Sequence, residues 1–257
     1  MRHYGLLGKG ITYSISPRIH TYVYEQLSLD CDYKIVDGVL EEKLELLKQL
    51  DGFNVTIPYK QEIMPYLADQ DEASRKIGAV NTVVKNAGKW FGYNTDYHGF
   101  KETLLSISNK IPESAVILGT GGAAKAVYHV LKDVGVKAIW IVSRKAKTSF
   151  ENECCITYEM LENSEIQSDL LINCTPVGRA QDSPVSEQVV RRQKSVIDII
   201  YVPTMTPLLK MAESLQIPYA NGLMMLIVQA LYADQLWFPD TSIQIQKLYQ
   251  ELKWIVE

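Results

Sequence analysis

The residues most able to do chemistry in this chain are a lysine and an aspartate that each follow a short apolar run. Lys60 ends Asn54-Val55-Thr56-Ile57-Pro58-Tyr59-Lys60, and Asp96 ends Gly92-Tyr93-Asn94-Thr95-Asp96. Each run reads as a strand giving way to a turn or helix, so each side chain is delivered to a strand end, where ligands bind in α/β folds. An ammonium and a carboxylate meeting there make a proton-handling pair beside a reacting hydroxyl. Taken singly, a surface lysine and a helix-capping aspartate are the commoner fates, and sequence spacing does not bring the two together. A third polar segment, Gly8 to Pro17, places Ser14 and Ser16 two apart. In extended backbone both hydroxyls face the same way and can donate to one carboxylate. Equally, Ser16 can cap a helix that has Pro17 in its first turn.

A different chemistry is written in Val116-Ile117-Leu118-Gly119-Thr120-Gly121-Gly122-Ala123-Ala124. A strand ends in glycines and a helix opens, which is the context a dinucleotide phosphate loop requires. Gly119 permits the tight turn, Gly121 lets backbone approach a pyrophosphate, and Ala124 allows close helix–strand packing. Gly122 and Ala123 open the helix whose N–H groups and dipole favour phosphate. Without a ligand the segment is only a glycine-rich turn. The next strand ends in Val142-Ser143-Arg144-Lys145, with Lys147 close behind and no acid to take ribose hydroxyls. Such a cluster suits a 2′-phosphate, with charged hydrogen bonds worth roughly 1.5–3 kcal/mol each. Its alternative is a solvated basic loop.

The elements that must hold these residues fall into two α/β series. The first alternates strand-like Tyr4–Leu7, Tyr33–Val36 and Phe53–Ile57 with helical Ile19–Leu27 and Leu40–Leu50, the latter showing Leu40, Leu44, Leu47 and Leu50 on one face. The second runs from Ala115–Leu118 through a helix to Val134, then Ala138–Val142, Leu170–Asn173 and Val196–Ile200, suggesting a doubly wound sheet. Gly222–Trp237 and Ile243–Val256 read as two closing helices.

Composition narrows the class. With 257 residues, 47% hydrophobic and 22% charged, the chain can bury two cores, so two domains are expected. Lys plus Arg number 26 against 30 Asp plus Glu, a net −4 without long blocks of one sign, so no nucleic acid partner is expected. The apolar run Leu223–Val228 stops at Gln229, far short of the roughly 20 residues that span a bilayer. The N-terminal apolar stretch is broken by Lys9 too early for a secretory signal, so a cytoplasmic protein without membrane association is expected. Cys31, Cys154, Cys155 and Cys174 form no metal-ligand spacing and read as reduced. Monomer and homodimer both stay open.

Eight segments, in order and approximate spacing, resemble the signatures of the shikimate dehydrogenase family. They are Ser14–Pro17, Asn54–Lys60, Gly78–Thr82, Asn94–Asp96, Gly119–Ala124, Asn173–Gly178, Asp198–Pro203, and Gly222 with Met225-Leu226 and Gln229-Ala230. The likeness spans nearly the whole chain. It implies an α/β fold with an N-terminal α/β substrate domain on a mostly parallel sheet, residues 1–98 and 222–257. A Rossmann-like NADP-binding domain, residues 99–221, would be inserted between them, with the active site in the cleft. By the same resemblance Lys60 and Asp96 are the catalytic dyad, Ser14 and Ser16 bind the substrate carboxylate, and Tyr201 assists there. Thr56, Asn81 and Gln229 take the ring hydroxyls. Gly119, Gly121, Gly122, Ala123, Ser143, Arg144 and Lys145 hold NADP, with Gly222 and Met225 near the nicotinamide, and no metal is needed. The implied reaction reduces 3-dehydroshikimate with NADPH to shikimate. Four positions depart from the pattern: Tyr13 where the family usually has His, Gly10 for Pro, Met224 for Gly, and Ser143 for Asn. The nearest rivals are a quinate/shikimate dehydrogenase with relaxed substrate or cofactor choice, and a non-catalytic NADP-binding regulator.

Overall fold

The computed structural model describes residues 1–108, 110–145, 149–150 and 153–256, with side chains left aside at 149, 154 and 254–256. Two compact units emerge, Met1–His98 with Ile227–Glu257 and Gly99–Leu226. Their boundaries fall inside two helices, Asp96–Ile107 and Leu223–Trp237.

The first unit contains β1 (Arg2–Gly8), α1 (Ser16–Gln26), β2 (Cys31–Asp37), α2 (Leu40–Leu47), β3 (Gly52–Val55), β4 (Asp69–Gln70), α3 (Glu72–Ile77), β5 (Thr82–Asn86), β6 (Lys89–Tyr93) and the start of α4 (Asp96–Ile107). Its six-stranded sheet has the order β2-β1-β3-β5-β6-β4. Parallel pairing holds for β1 with β2 and β3 and for β4 with β6, whereas β5 runs antiparallel to β3 and β6. The antiparallel step comes from a two-residue hairpin at Ala87 and Gly88, both with positive φ, the geometry of a type I′ turn. Ala at the first turn position is a weak hairpin signal in sequence.

On α2, Leu40 and Leu47 are fully buried against Leu7, Phe53 and Val83, but the helix ends at Leu47 rather than Leu50. Leu50 still reaches the same core from the turn that follows. Likewise β3 stops at Val55 instead of Ile57, because Pro58 lacks the N–H a continuing strand would need.

The second unit contains β7 (Ser114–Leu118), α5 (Gly122–Asp133), β8 (Ala138–Ser143), β9 (Ser149–Phe150), β10 (Glu153–Thr157), α6 (Tyr158–Glu162), β11 (Leu170–Asn173), α7 (Glu187–Arg191), β12 (Val196–Asp198), α8 (Pro207–Ser214) and β13 (Tyr219–Asn221). The strand order is β13-β12-β11-β7-β8-β10-β9, parallel except at the β9/β10 edge. Chain order reverses direction at β7, which puts a crevice for a ligand beyond its carboxyl end. The Val, Ile and Leu of β7, β11 and β12 are buried on both faces, which is why these strands read as continuous apolar runs.

The chain closes with α9 (Leu223–Trp237) and α10 (Ile245–Val256). Among the described residues no helix is long and apolar enough to cross a membrane, and no three His, Cys, Asp or Glu cluster to hold a metal ion. Cys31 and Cys174 are free thiols, while the side chain of Cys154 lies outside the described residues.

Candidate functional site

In the first unit, strand register brings the chemistry-bearing segments to one edge. Leu7 pairs with Val55, Asn54 with Thr82, and Thr82 with Tyr93. The chain therefore leaves β1 toward Ser14, leaves β3 toward Thr56 and Lys60, enters β5 from Asn81, and leaves β6 toward Asp96 at the same side of the sheet. The turn carrying Lys60 is pinned twice. The buried Tyr59 hydroxyl donates to the Gly38 carbonyl at 2.9 Å, and Val80 N–H donates to the Lys60 carbonyl at 2.8 Å. Asp96 is the first residue of α4, where a carboxylate complements the positive end of the helix dipole.

Lys60 Nζ lies 2.5 Å from Asp96 Oδ2, with the side chains 18% and 9% exposed. The other carboxylate oxygen, Oδ1, accepts from Asn81 Nδ2 at 2.9 Å. Asn81 Nδ2 also faces Thr95 Oγ1 at 3.0 Å and Gln229 Oε1 at 3.2 Å, so Gln229 on α9 joins the same cluster. A largely buried ammonium held by one carboxylate can keep its remaining N–H groups for an oxygen on a bound molecule. The pairing of Lys60 with Asp96, absent from sequence spacing, is thus made by the sheet.

Ser14 and Ser16 meet each other: Ser14 Oγ donates to Ser16 Oγ at 3.2 Å, and Ser16 N–H donates to Ser14 Oγ at 3.3 Å. Ser16 is the first helical residue and Ile15 the N-cap, with no side chain capping α1. Ser16 is therefore not the N-cap, and the N–H of this first helical residue is taken by the Ser14 hydroxyl. The loop before them is clamped by Asp37 at the end of β2, whose two oxygens accept the N–H groups of Gly10 and Ile11 at 2.8 and 3.0 Å. Gly10 has φ +68 and donates its N–H, so a proline here would lose both the conformation and the bond. Its departure from the family pattern is matched by Asp37. Tyr13 is half exposed, and Thr56, partly buried, follows β3.

In the second unit Gly119 has φ +104, a region costly to other residues, and a Cβ there would also meet Thr175 at 3.0 Å. Gly121 is the N-cap of α5 with no side-chain cap bond, and a Cβ on it would meet nothing within 4 Å. The first N–H groups of α5, from Gly122 and Ala123 onward, face an open approach, while Ala124 is fully buried against the sheet. These residues fit a dinucleotide pyrophosphate. The Ser143 hydroxyl donates to the Lys145 carbonyl at 2.6 Å and so shapes the turn that exposes Arg144 and Lys145. Lys147 lies outside the described residues. Tyr201 follows β12, Met225 is buried on α9, and at Gly222 a Cβ would sit 1.9 Å from the Ile199 carbonyl oxygen, so only glycine is accommodated.

Two loops at this edge are braced by a buried acid. Asp198 accepts from Asn173 Nδ2 at 3.0 Å, Ile200 N–H at 3.1 Å and the Thr206 hydroxyl at 2.8 Å. Burial nevertheless outweighs these donors and pushes its carboxyl up to about 6. Burial likewise raises the neighbouring Cys174 thiol, leaving it a poor nucleophile.

Sequence reasoning had named no role for Thr95, Thr82, Asn54, Asp37 or Tyr158. Asn54, Thr82 and Thr95 lay inside recognised motifs but read as strand or turn residues. Tyr158 follows Thr157, which pairs with Ser143, and its phenol is raised by burial and lowered by Arg144, so it stands near that guanidinium. Only the strand register reveals this neighbour.

Residues 6–83 match the family model described as the shikimate dehydrogenase substrate binding domain. Over 249 residues, covering 92% of both proteins, the chain is 41% identical to a shikimate dehydrogenase (NADP(+)) of Clostridium beijerinckii. Among solved structures it resembles shikimate dehydrogenase 1 of Peptoclostridium difficile, with TM-score 0.89, 35% identity, and coverage of 100% of this chain and 99% of that one. It also resembles the Thermus thermophilus shikimate 5-dehydrogenase in complex with NADP(H) and shikimate, with TM-score 0.84, 28% identity, and coverage of 97% and 98%.

Proposed function

The chain belongs to the shikimate dehydrogenase family, and from that premise we propose that it catalyses the reversible NADPH-dependent reduction of 3-dehydroshikimate to shikimate, a step toward aromatic amino acids. The observation that carries this reading is the Lys60–Asp96 contact at 2.5 Å, set among Asn81, Thr95 and Gln229. Lys60 stabilises negative charge developing on the oxygen at substrate C3 and delivers the proton there, or takes it in the oxidative direction. Asp96 orients the ammonium. Ser14 and Ser16 exchange their mutual hydrogen bond for two bonds to the substrate carboxylate, with Tyr201 assisting, while Thr56, Asn81 and Gln229 bind the ring hydroxyls.

When bound, NADPH supplies the hydride. Gly119, Gly121, Gly122 and Ala123 hold its pyrophosphate, Ser143, Arg144 and Lys145 its 2′-phosphate, and Gly222 and Met225 border the nicotinamide. In this reading residues 1–98 and 222–257 form the substrate-binding and catalytic domain, and residues 99–221 the nucleotide domain. The protein acts in the cytoplasm as a monomer or homodimer on small molecules, without nucleic acid or membrane partners.

The test is to mix the purified protein with shikimate or quinate, each with NADP or NAD, and follow nicotinamide absorbance. Shikimate with NADP is expected to lead, with NADP preferred over NAD by at least about tenfold, since at least one charged hydrogen bond to the 2′-phosphate is at stake. A lead for quinate or NAD would replace this reading with the relaxed-specificity one, and absence of turnover in all four mixtures would leave a nucleotide binder.

A further inference from the structure

Behind the Lys60–Asp96 pair, buried side chains form a single file of hydrogen bonds. The Tyr33 hydroxyl donates to Asn54 Oδ1 at 2.6 Å, Asn54 Nδ2 to Thr82 Oγ1 at 3.0 Å, Thr82 Oγ1 to Asn81 Oδ1 at 3.1 Å, and Asn81 Nδ2 to Asp96 Oδ1 at 2.9 Å. All five residues are at most 6% exposed.

The direction of the file is dictated by its side branches. Thr95 N–H donates to Asn81 Oδ1 at 2.7 Å, which forbids the flipped amide and turns Asn81 Nδ2 toward Asp96. Asn54 Nδ2 also donates to the Asn81 carbonyl at 3.2 Å, so Asn54 Oδ1 must face Tyr33, where only a phenol proton can satisfy it. The one proton of Thr82 goes to Asn81 Oδ1 or to Thr95 Oγ1 at 3.2 Å, and both lie closer to Asp96. Every donor therefore points the same way, and a low-dielectric chain of this kind polarises itself.

Its far end is rigidly held. The Tyr33 ring stacks on His20, centroids 4.1 Å apart and 14° from parallel, and His20 Nδ1 lies 2.8 Å from Asp234 Oδ1 with both side chains fully buried. Burial, with the Asp234 carboxylate nearby, keeps the phenol protonated well above its ordinary range, so it remains a donor.

We propose that Tyr33 is a positioning residue for the reaction, holding the Asp96 carboxylate through Asn54, Thr82 and Asn81 in the orientation that aims Lys60 at the substrate. This rests on the reading of Lys60 and Asp96 as the proton-handling pair. Within it, the file explains why a strand tyrosine far from any ligand-facing loop is tied to the site.

The test compares Tyr33→Phe, Thr82→Val, their double variant and Thr82→Ser in the full chain, measuring kcat, substrate KM and NADPH affinity by fluorescence titration. Tyr33→Phe and Thr82→Val should each lower kcat about tenfold, below the roughly hundredfold that a 1 Å misplacement can cost. KM and NADPH affinity should stay nearly constant. The double variant should lose no more than either single one, because both cut the same file, and Thr82→Ser should recover most of the loss. Parental kcat in folded Tyr33→Phe, or losses that multiply in the double variant, would overturn the proposal. If Tyr33→Phe does not fold, Thr82→Val and Thr82→Ser decide alone: loss with recovery supports the file, and parental kcat in Thr82→Val refutes it. Lys60→Ala assayed alongside separates the two claims. An inactive Lys60→Ala with a fully active Tyr33→Phe removes Tyr33 only, whereas an active Lys60→Ala removes the reading of the site itself.

Discussion

At the Lys60–Asp96 edge of the first sheet the polar side chains are bonded to one another, whereas at the glycine-loop edge of the second sheet they stand exposed. Asn81, Thr95 and Asp96 are buried and each makes more than one hydrogen bond. Arg144 and Lys145 are exposed, α5 has no side-chain cap, and the space beside Gly121 is empty. Proton transfer needs groups aligned before the substrate arrives, since small misplacements are costly. Phosphate recognition draws on backbone N–H groups and cations whose partner is the ligand itself. Beneath the open edge the second unit is no less braced, by polar contacts centred on Asp198 that hold the loops after β11 and β12.

Variants at the two edges should therefore fail differently. The largest effect is expected at Lys60: Lys60→Ala should lower kcat by about 10³-fold, in the range for loss of a general acid–base group, while NADP affinity stays close to parental. Near-normal turnover would take Lys60 out of the mechanism and erase the contrast.

A smaller, purely thermodynamic effect is expected at Asp198. Its folded carboxyl, raised to about 6 from an ordinary 3.8, binds its proton more tightly than the unfolded one. The stabilising contribution is thus complete below the unfolded value and is lost as pH rises through about 6, amounting to as much as about 3 kcal/mol. Asp198→Asn should flatten this loss in denaturant unfolding curves taken across that interval. A parental slope would mean that other groups set it.

The smallest effect belongs to the open edge. Arg144→Ala should weaken NADP by about ten- to hundredfold, the equivalent of one or two charged hydrogen bonds, with kcat at saturation little changed. Isothermal titration checks this, and unchanged NADP affinity would refute the 2′-phosphate assignment.

The two edges also differed in how far they could be read in advance. Gly119, Gly121 and Ala124 were legible because a positive φ, a close backbone approach and a helix start depend on neighbours in the chain. Lys60 and Asp96 were legible as residues at strand ends, but their contact was not. It depends on β5, an antiparallel strand set by the weakly signalled Ala87-Gly88 turn, which lies between β3 and β6 and brings Asn81 to the other oxygen of Asp96. Tyr33 was invisible as a functional residue, since an aromatic in a strand reads as core. Gly10 reads in sequence as a simple departure, whereas in the fold its N–H is held by the Asp37 carboxylate.

What the sequence alone determined is the set of local instructions: which runs become strands and helices, where the phosphate loop turns, and which charges stand at strand ends. These follow from sterics, propensity and dipoles acting over a few residues. Tertiary structure alone decided that Tyr33, Asn54, Thr82 and Asn81 form one directed file of hydrogen bonds ending on Asp96, whose other oxygen accepts from Lys60. Hydrogen bonding is short-ranged and directional, so its partners are chosen only when strand register brings distant segments within about 3 Å of one another.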